Sequence, residues 1–235
     1  MARKVKIDNA ILKRFERQET KRRQDIRLKR RFYLIVCEGT KTEPNYFEGL
    51  KQNLPPGVID LVDLGVEGTG HNTLTVIDDA LKAKERSERV GRTIDEVWAV
   101  FDRDSFPDQN FNNAILKGKD VGVFCAWTNE SFELWYLLHF KFFQNGMSRA
   151  DYKGLIEREL SQKLKQPYTY RKNSPDMFVL LKEHGNVEQA IAWAKQLEAE
   201  FAGRTDYANH NPCTMVYVLI EKLLFPKRED SVLTL

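Results

Sequence analysis

Four short apolar runs, each followed by a stretch of helical character, constrain this chain more than any other feature. They are FYLIVC (32–37), VIDLVDL (58–64), VWAVF (97–101) and VGVFCAW (121–127). Runs of this length, apolar at successive positions, suit strands buried on both faces of a sheet. After the first run, Thr42 is placed to cap a helix with Pro44 in its first turn and Tyr46, Phe47 and Leu50 along its stripe. Leu74, Ile77 and Leu81 mark a second helix reaching Arg89, Phe111–Leu116 a short helical piece, and Leu134–Phe143 an aromatic-rich helix. Strand alternating with helix four times implies parallel crossover units, hence an α/β fold with a mostly parallel four-stranded sheet flanked by helices. From Ser148 the pattern becomes helical, near 149–164, 175–184, 186–202 and 212–225, with no strand expected. The chain therefore divides into a basic arm (1–31), an α/β domain (32–145) and a C-terminal helical elaboration (146–235).

Charge is distributed unevenly. Residues 1–31 carry 13 Lys/Arg against 4 Asp/Glu, whereas the remainder is mildly acidic. A cationic arm of this kind is either a solvated, partly helical extension or a grip for phosphates or a partner, and composition does not separate the two. No apolar run approaches the roughly 20 residues needed to span a bilayer, and the basic N-terminus has no apolar segment behind it, so neither a membrane span nor a secretory signal is expected. Cys37, Cys125 and Cys213 are widely spaced and form no C-x-x-C pair. They read as three buried thiols of a reducing, cytoplasmic compartment.

The chemistry gathers at strand ends. The third run passes directly into Asp102-Arg103-Asp104, and a buried strand cannot solvate carboxylates in its middle, so the acids belong where the strand leaves the sheet. Ligands of open α/β sheets bind at that edge. Glu38 follows the first run, and Glu133 stands just beyond the fourth. Hard oxygen ligands converging on one rim make a seat for Mg²⁺ or Mn²⁺: Glu38, Asp102 and Asp104, with Glu133 as a fourth candidate. The competing reading is that the two aspartates merely cap a turn.

Other features carry weaker signals. Lys41 and Arg103 are candidates for a substrate phosphate contact, Lys41 with a solvated lysine at a helix start as its alternative. Gly68-Thr69-Gly70 could offer backbone N–H groups to a phosphate, but it lacks the Gly-Lys-Ser/Thr of a P-loop, so ATP hydrolysis by this chain is not expected. His71, His139, His184 and His210 show no metal-ligand spacing, and His139 reads best as a core histidine. The stripe Phe132, Trp135, Tyr136, Phe140 and Phe143 reads as packing between the sheet and the helical half, with base stacking as the alternative.

The run IVCEGTKTEPNYFEGL followed by VWAVFDRD resembles the Toprim domain of topoisomerases, primases and several nucleases. Glu38-Gly39 and Asp102-Arg103-Asp104 match its two signatures in order and in strand context. EGTKTEPNYFEGL, TNESFELWYLLHF and NPCTMVYVLIEKL together resemble the RloB family of Toprim-like proteins, over roughly Phe32 to Leu224. One departure is Glu130-Ser131, where a proline and a small residue are expected. The resemblance implies a metal-dependent nuclease acting on RNA or DNA, in which Asp102 and Asp104 hold one or two divalent ions and Glu38 ligates metal or transfers protons. It also implies an antiphage-defence or toxin-like role beside an ATPase partner, with oligomerisation open. Two other readings stand beside it: a nucleotide-sugar transferase using D-x-D with Mn²⁺, and a non-catalytic nucleic-acid-binding subunit relying on the basic arm.

Overall fold

A computed structural model describes residues 30–59, 62–70, 75–103 and 107–226; the basic arm up to residue 29, His71, Leu74 and Asp104 lie outside them. The first apolar run forms β1 (Arg31–Cys37) and the third forms β3 (Glu96–Asp102). They lie side by side in parallel, with Cys37 opposite Val100. β1 also pairs in parallel with β2 (Val62–Gly68), and β3 with β4 (Phe124–Asn129). A two-residue strand, β5 (Cys213–Thr214), runs antiparallel to β4, giving the order β2-β1-β3-β4-β5. The sheet thus has five strands rather than the four expected, and the fifth comes from the segment read as purely helical. Two residues leave no periodicity to detect; only pairing with Thr128 and Asn129 makes them a strand.

The central strands are apolar without alternation because both faces are covered. Ile35, Cys37, Trp98 and Val100 face one core cluster, while Leu34, Val36, Ala99 and Phe101 face another. On the first face lie α1 (Thr42–Gln52), α5 (Glu133–Leu138) and the later helices α6 (Arg149–Leu164), α7 (Met177–His184), α8 (Val187–Ala199) and α9 (Val216–Leu224). On the second lie α3 (Val76–Arg89) and α4 (Asp108–Val121). The aromatic stripe is core: Tyr46 meets Phe47, Phe132 and Phe178 edge-on at 5.3, 5.6 and 5.3 Å between ring centroids. Trp135 Nε1 donates to Tyr46 Oη at 2.8 Å. Each such ring pair adds roughly 0.5–1.5 kcal/mol beyond its buried area.

Several boundaries differ from the expectation, each for a local reason. The second strand starts four residues later than its apolar run, and α2 (Pro56–Ile59) takes the head of that run. As an edge strand β2 needs only alternate buried side chains, so Val62 and Leu64 point inward while Asp63 and Glu67 face out. It takes in Gly65 and also Gly68, the first glycine of Gly68-Thr69-Gly70; a Cβ at Gly68 would lie 2.7 Å from the Gly39 carbonyl oxygen. α1 begins at Thr42 with Lys41 as its cap residue, one place early, because the Thr42 hydroxyl donates to the Lys172 carbonyl (3.0 Å) instead of capping. α4 is twice the expected length and stops at Gly122, in the left-handed conformation (φ 73°), which delays β4 to Phe124. The aromatic helix ends early, at Leu138. Cys37 and Cys213 are buried, Cys125 is half-buried, and all three are free thiols.

α4 crosses β4 closely: a Cβ on Gly118 would lie 2.5 Å from Cys125 Sγ and 2.9 Å from the Val123 carbonyl oxygen. Gly118→Ala is therefore expected to destabilise the fold by about 1–3 kcal/mol, although in an open helix interior the same change stabilises by up to about 1 kcal/mol. Urea denaturation of the two proteins measures the sign.

Candidate active site

The carboxyl ends of β1 and β3 place the first two acids together. Cys37 is the last residue of β1, and the Glu38 N–H continues the ladder onto the Val100 carbonyl at 2.8 Å. That register turns the Glu38 side chain toward the end of β3, where its Oε2 accepts the Asp102 N–H at 3.3 Å. Two stretches more than sixty residues apart thus meet at one rim, as the strand-end argument requires. Asp102 is only 5 % exposed, and among the described residues its Oδ1 has no hydrogen-bond partner. Arg149 Nη2 stands 3.8 Å from its other oxygen.

Two further carboxylates lie around Asp102. Glu43, in the first turn of α1, is 6 % exposed and packs over Gly39, where an added Cβ would lie 2.3 Å from Glu43 Oε2. The Glu-Gly pair of the motif is explained by that contact: any side chain at 39 would displace the second glutamate. Glu133 opens α5 at 4 % exposure and accepts hydrogen bonds from the Ser131 hydroxyl and from Tyr170 Oη, the latter at 3.0 Å. Burial, then the charges of Glu43 and Glu133, push the Asp102 carboxyl well above the usual carboxylate range, while the Phe132 backbone and Arg149 pull it partly back. Burial, and then Glu133, likewise raises Glu43, with Lys172 and Arg149 opposing. Acids under such mutual repulsion are stabilised by a cation among them.

The cleft in front of these groups has a volume of about 480 Å³ and is lined by Glu38, Glu43 and Asp102 together with Lys41, Arg149 and Lys172. The helical half supplies two of its cations. Ser148 and Asp151 form a capping box at the start of α6, the Ser148 N–H and hydroxyl donating to Asp151 Oδ2 at 3.0 and 2.7 Å, which fixes Arg149 in the first turn. Lys172 sits on the loop between α6 and α7. That loop is tied to α1 by the Thr42 hydroxyl and by Asn45 Nδ2, which donates to the Asn173 carbonyl at 3.0 Å.

Of the residues singled out from sequence, Glu38, Asp102 and Lys41 line the cleft, and Glu133 lies buried close enough to act on Asp102. Arg103 pairs with Asp108 at the start of α4 and is not among the lining residues. Asp104 lies outside the described residues; among those described, no three His, Cys, Asp or Glu side chains form a group able to hold a metal ion as they stand. Gly70 lines the cleft, its N–H donating to the Glu38 carbonyl at 2.9 Å. His139 is a core residue: Nδ1 lies 2.9 Å from the Trp135 carbonyl, and burial lowers the imidazole to about 4. Glu43, Arg149 and Lys172 were not singled out from sequence. Glu43 sits five residues after Glu38 within the same motif, a legible signal; the two cations offered none, being surface-type residues on a helix start and a loop.

No helix among the described residues is long and apolar enough to cross a membrane. No curated protein and no solved structure matches the chain. The family model described as RloB-like protein matches residues 33–223, from β1 through most of α9. The match covers the whole frame that builds the cleft, and the chain belongs to the RloB-like family.

Proposed function

We propose that this protein is a divalent-metal-dependent nuclease of Toprim type, hydrolysing phosphodiester bonds of RNA or DNA. The observation that carries the reading is the buried, unpartnered Oδ1 of Asp102 beside the Glu38 carboxylate, in a cleft ringed by cations. A buried carboxylate oxygen without a donor is unfavourable in the protein alone and favourable beside a metal ion. Glu38, Asp102 and Asp104 would hold Mg²⁺ or Mn²⁺, which when bound neutralises the scissile phosphate and the charge developing on it.

The chain's own groups divide the remaining work. Arg149, Lys172 and Lys41 face the same space as the acids and bind the non-bridging phosphate oxygens, Arg149 through a planar fork and the lysines as point charges. Glu38, at the cleft surface, exchanges protons with the nucleophile or the leaving oxygen. Glu43, whose burial keeps its proton beyond the usual range, is placed to donate it to the leaving oxygen. Glu133, held by Ser131 and Tyr170, keeps α5 closed under the site. The family resemblance adds a setting, an effector in antiphage defence or a toxin-like system beside an ATPase partner, and the three free thiols support a cytoplasmic one.

Glu38→Gln, Asp102→Ala and Asp104→Ala are each expected to lower Mg²⁺-dependent cleavage by about a thousandfold or more with an unchanged circular dichroism spectrum. Undiminished cleavage by purified Glu38→Gln would sink the assignment. Arg149→Ala is expected to raise KM more than it lowers kcat, and to reduce the salt slope of nucleic-acid binding by about one, read from titrations at several ionic strengths.

A thermal measurement checks the electrostatics separately. The folded-state pKa of Asp102 is raised by burial and by Glu43 and Glu133, so its contribution to stability is present below the ordinary carboxylate pKa and is lost as the pH rises toward neutrality. Asp102→Asn removes that loss. In chelator, its melting temperature should exceed that of the wild type by a margin that widens from acidic to neutral pH. Added Mg²⁺ should raise the wild type and not the variant.

A further inference from the structure

A second cavity, of about 540 Å³, opens where β4 meets α4 and the segment following α8. It has no part in the cleft described above. Its lining is aromatic: Phe124, Phe201 and Tyr207 present accessible ring surface, with Trp98, Trp127 and His210 buried behind them. The lining side chains come from both faces of the sheet, Trp98 of β3 from one core cluster and Trp127 of β4 from the other, so the cavity wraps around the outer edge of β4.

That edge is open. The Arg103 N–H donates to the Thr128 carbonyl at 2.9 Å, so Thr128 and, by alternation, Ala126 and Phe124 bond toward β3. Cys125 and Trp127 therefore direct their backbone groups out of the sheet. β5 reaches only Thr128 and Asn129, and the Met215 N–H takes the Trp127 carbonyl at 2.8 Å. Among the described residues, the Cys125 carbonyl and the Trp127 N–H meet no hydrogen-bond partner. An acceptor and, two residues on, a donor stand side by side on a strand edge between aromatic walls.

We infer that this cavity binds a purine base, its ring plane against the aromatic walls and its hydrogen-bonding edge against the Cys125 carbonyl and the Trp127 N–H. The volume lies in the range of small-molecule sites, and such sites combine apolar walls with a few placed polar groups. Flat π-surfaces take up a heterocycle at little conformational cost, with about 1–3 kcal/mol per stacked base. A purine carries a neighbouring donor and acceptor on one edge (N6–H and N1 in adenine, N1–H and O6 in guanine), which complement a backbone carbonyl and N–H. Lys119, whose Nζ lies 4.9 Å from the Tyr207 ring centroid and bonds its hydroxyl at 2.6 Å, stands at the wall where a nucleotide's phosphate would leave the cavity; Arg204 there is already paired with Asp206, and Glu198 also lines the cavity. The inference does not rest on the nuclease reading.

Trp98 and Trp127 report on the site directly. The full-length protein, titrated with adenosine 5′-monophosphate and with guanosine 5′-monophosphate, is expected to show saturable quenching of tryptophan fluorescence and a matching calorimetric isotherm. Ribose 5-phosphate should not compete. Ala202→Phe, an exposed lining position whose new ring fills the space, should weaken binding about tenfold or more. Phe201→Leu, which keeps the wall apolar but removes a π-face, should weaken it by about tenfold, so the inference remains testable if the first variant does not fold. Quenching by a single-stranded oligoadenylate but not by the mononucleotides would support the base and assign it to a nucleic-acid strand; quenching by the mononucleotides assigns it to a free nucleotide. No saturable response to any of these probes, an unchanged affinity in both variants, or competition by ribose 5-phosphate would overturn it. So would capture of a blocked Val-Thr-Val-Thr tetrapeptide in place of the purines, since the edge would then serve strand addition.

Discussion

The structure is organised around an acid held out of water at the end of its most buried strand. Asp102 terminates β3, five of whose seven residues are enclosed by the two core clusters, and the strand delivers its carboxylate to a place where Arg149 stands opposite in charge at 3.8 Å. Such a group is unfavourable to the fold in isolation. Its surroundings deepen the problem, because Glu43 and Glu133 raise its proton affinity further. The divalent cation of the proposed function would compensate such an arrangement, since hard oxygens clustered at a sheet edge suit one.

The cleft depends on both halves of the chain. The α/β half supplies the acids, since only strand ends hold carboxylates at a fixed spacing. The helical half supplies Arg149 and Lys172, the first through the capping box of α6 and the second through a loop sewn to α1 by Thr42 and Asn45. The same half contributes β5 and about half of the first core cluster. Movement of α6 or of the loop after it would therefore change the charge balance of the cleft without touching an acid. The stack of Tyr46, Phe132, Tyr136 and Phe178, closed by the Trp135–Tyr46 hydrogen bond, resists that movement.

The open edge of β4 belongs to the same design. A parallel sheet covered on both faces still has edges, and edges are normally paired or blocked. β5 protects the carboxyl end of β4, beside the rim that holds the acids, and leaves the amino end to a lined cavity. A short strand can cover only as much edge as its own length, so the position of β5 sets where the unpaired groups fall.

How much of this could be read from residues alone follows from the range of each interaction. The unalternating runs at 32–37 and 97–101, the α/β class, the pairing of Glu38 with Asp102 and the core character of the aromatic stripe were all legible, because burial on both faces and carboxylates after a strand are local signals. The second strand was misplaced, because an edge strand has only half its side chains inside, and its apolar residues spilled into the turn of α2. Glu43 was within reach of the motif; Arg149, Lys172 and the withdrawal of Arg103 to Asp108 were not. Sequence by itself determined which residues lie inside, where β1 and β3 stop and which acids stand at their ends. The fifth strand, the cations facing those acids and the extent of unpaired β4 edge were decided only by tertiary structure, because each depends on contacts between segments whose separation along the chain encodes no distance in space.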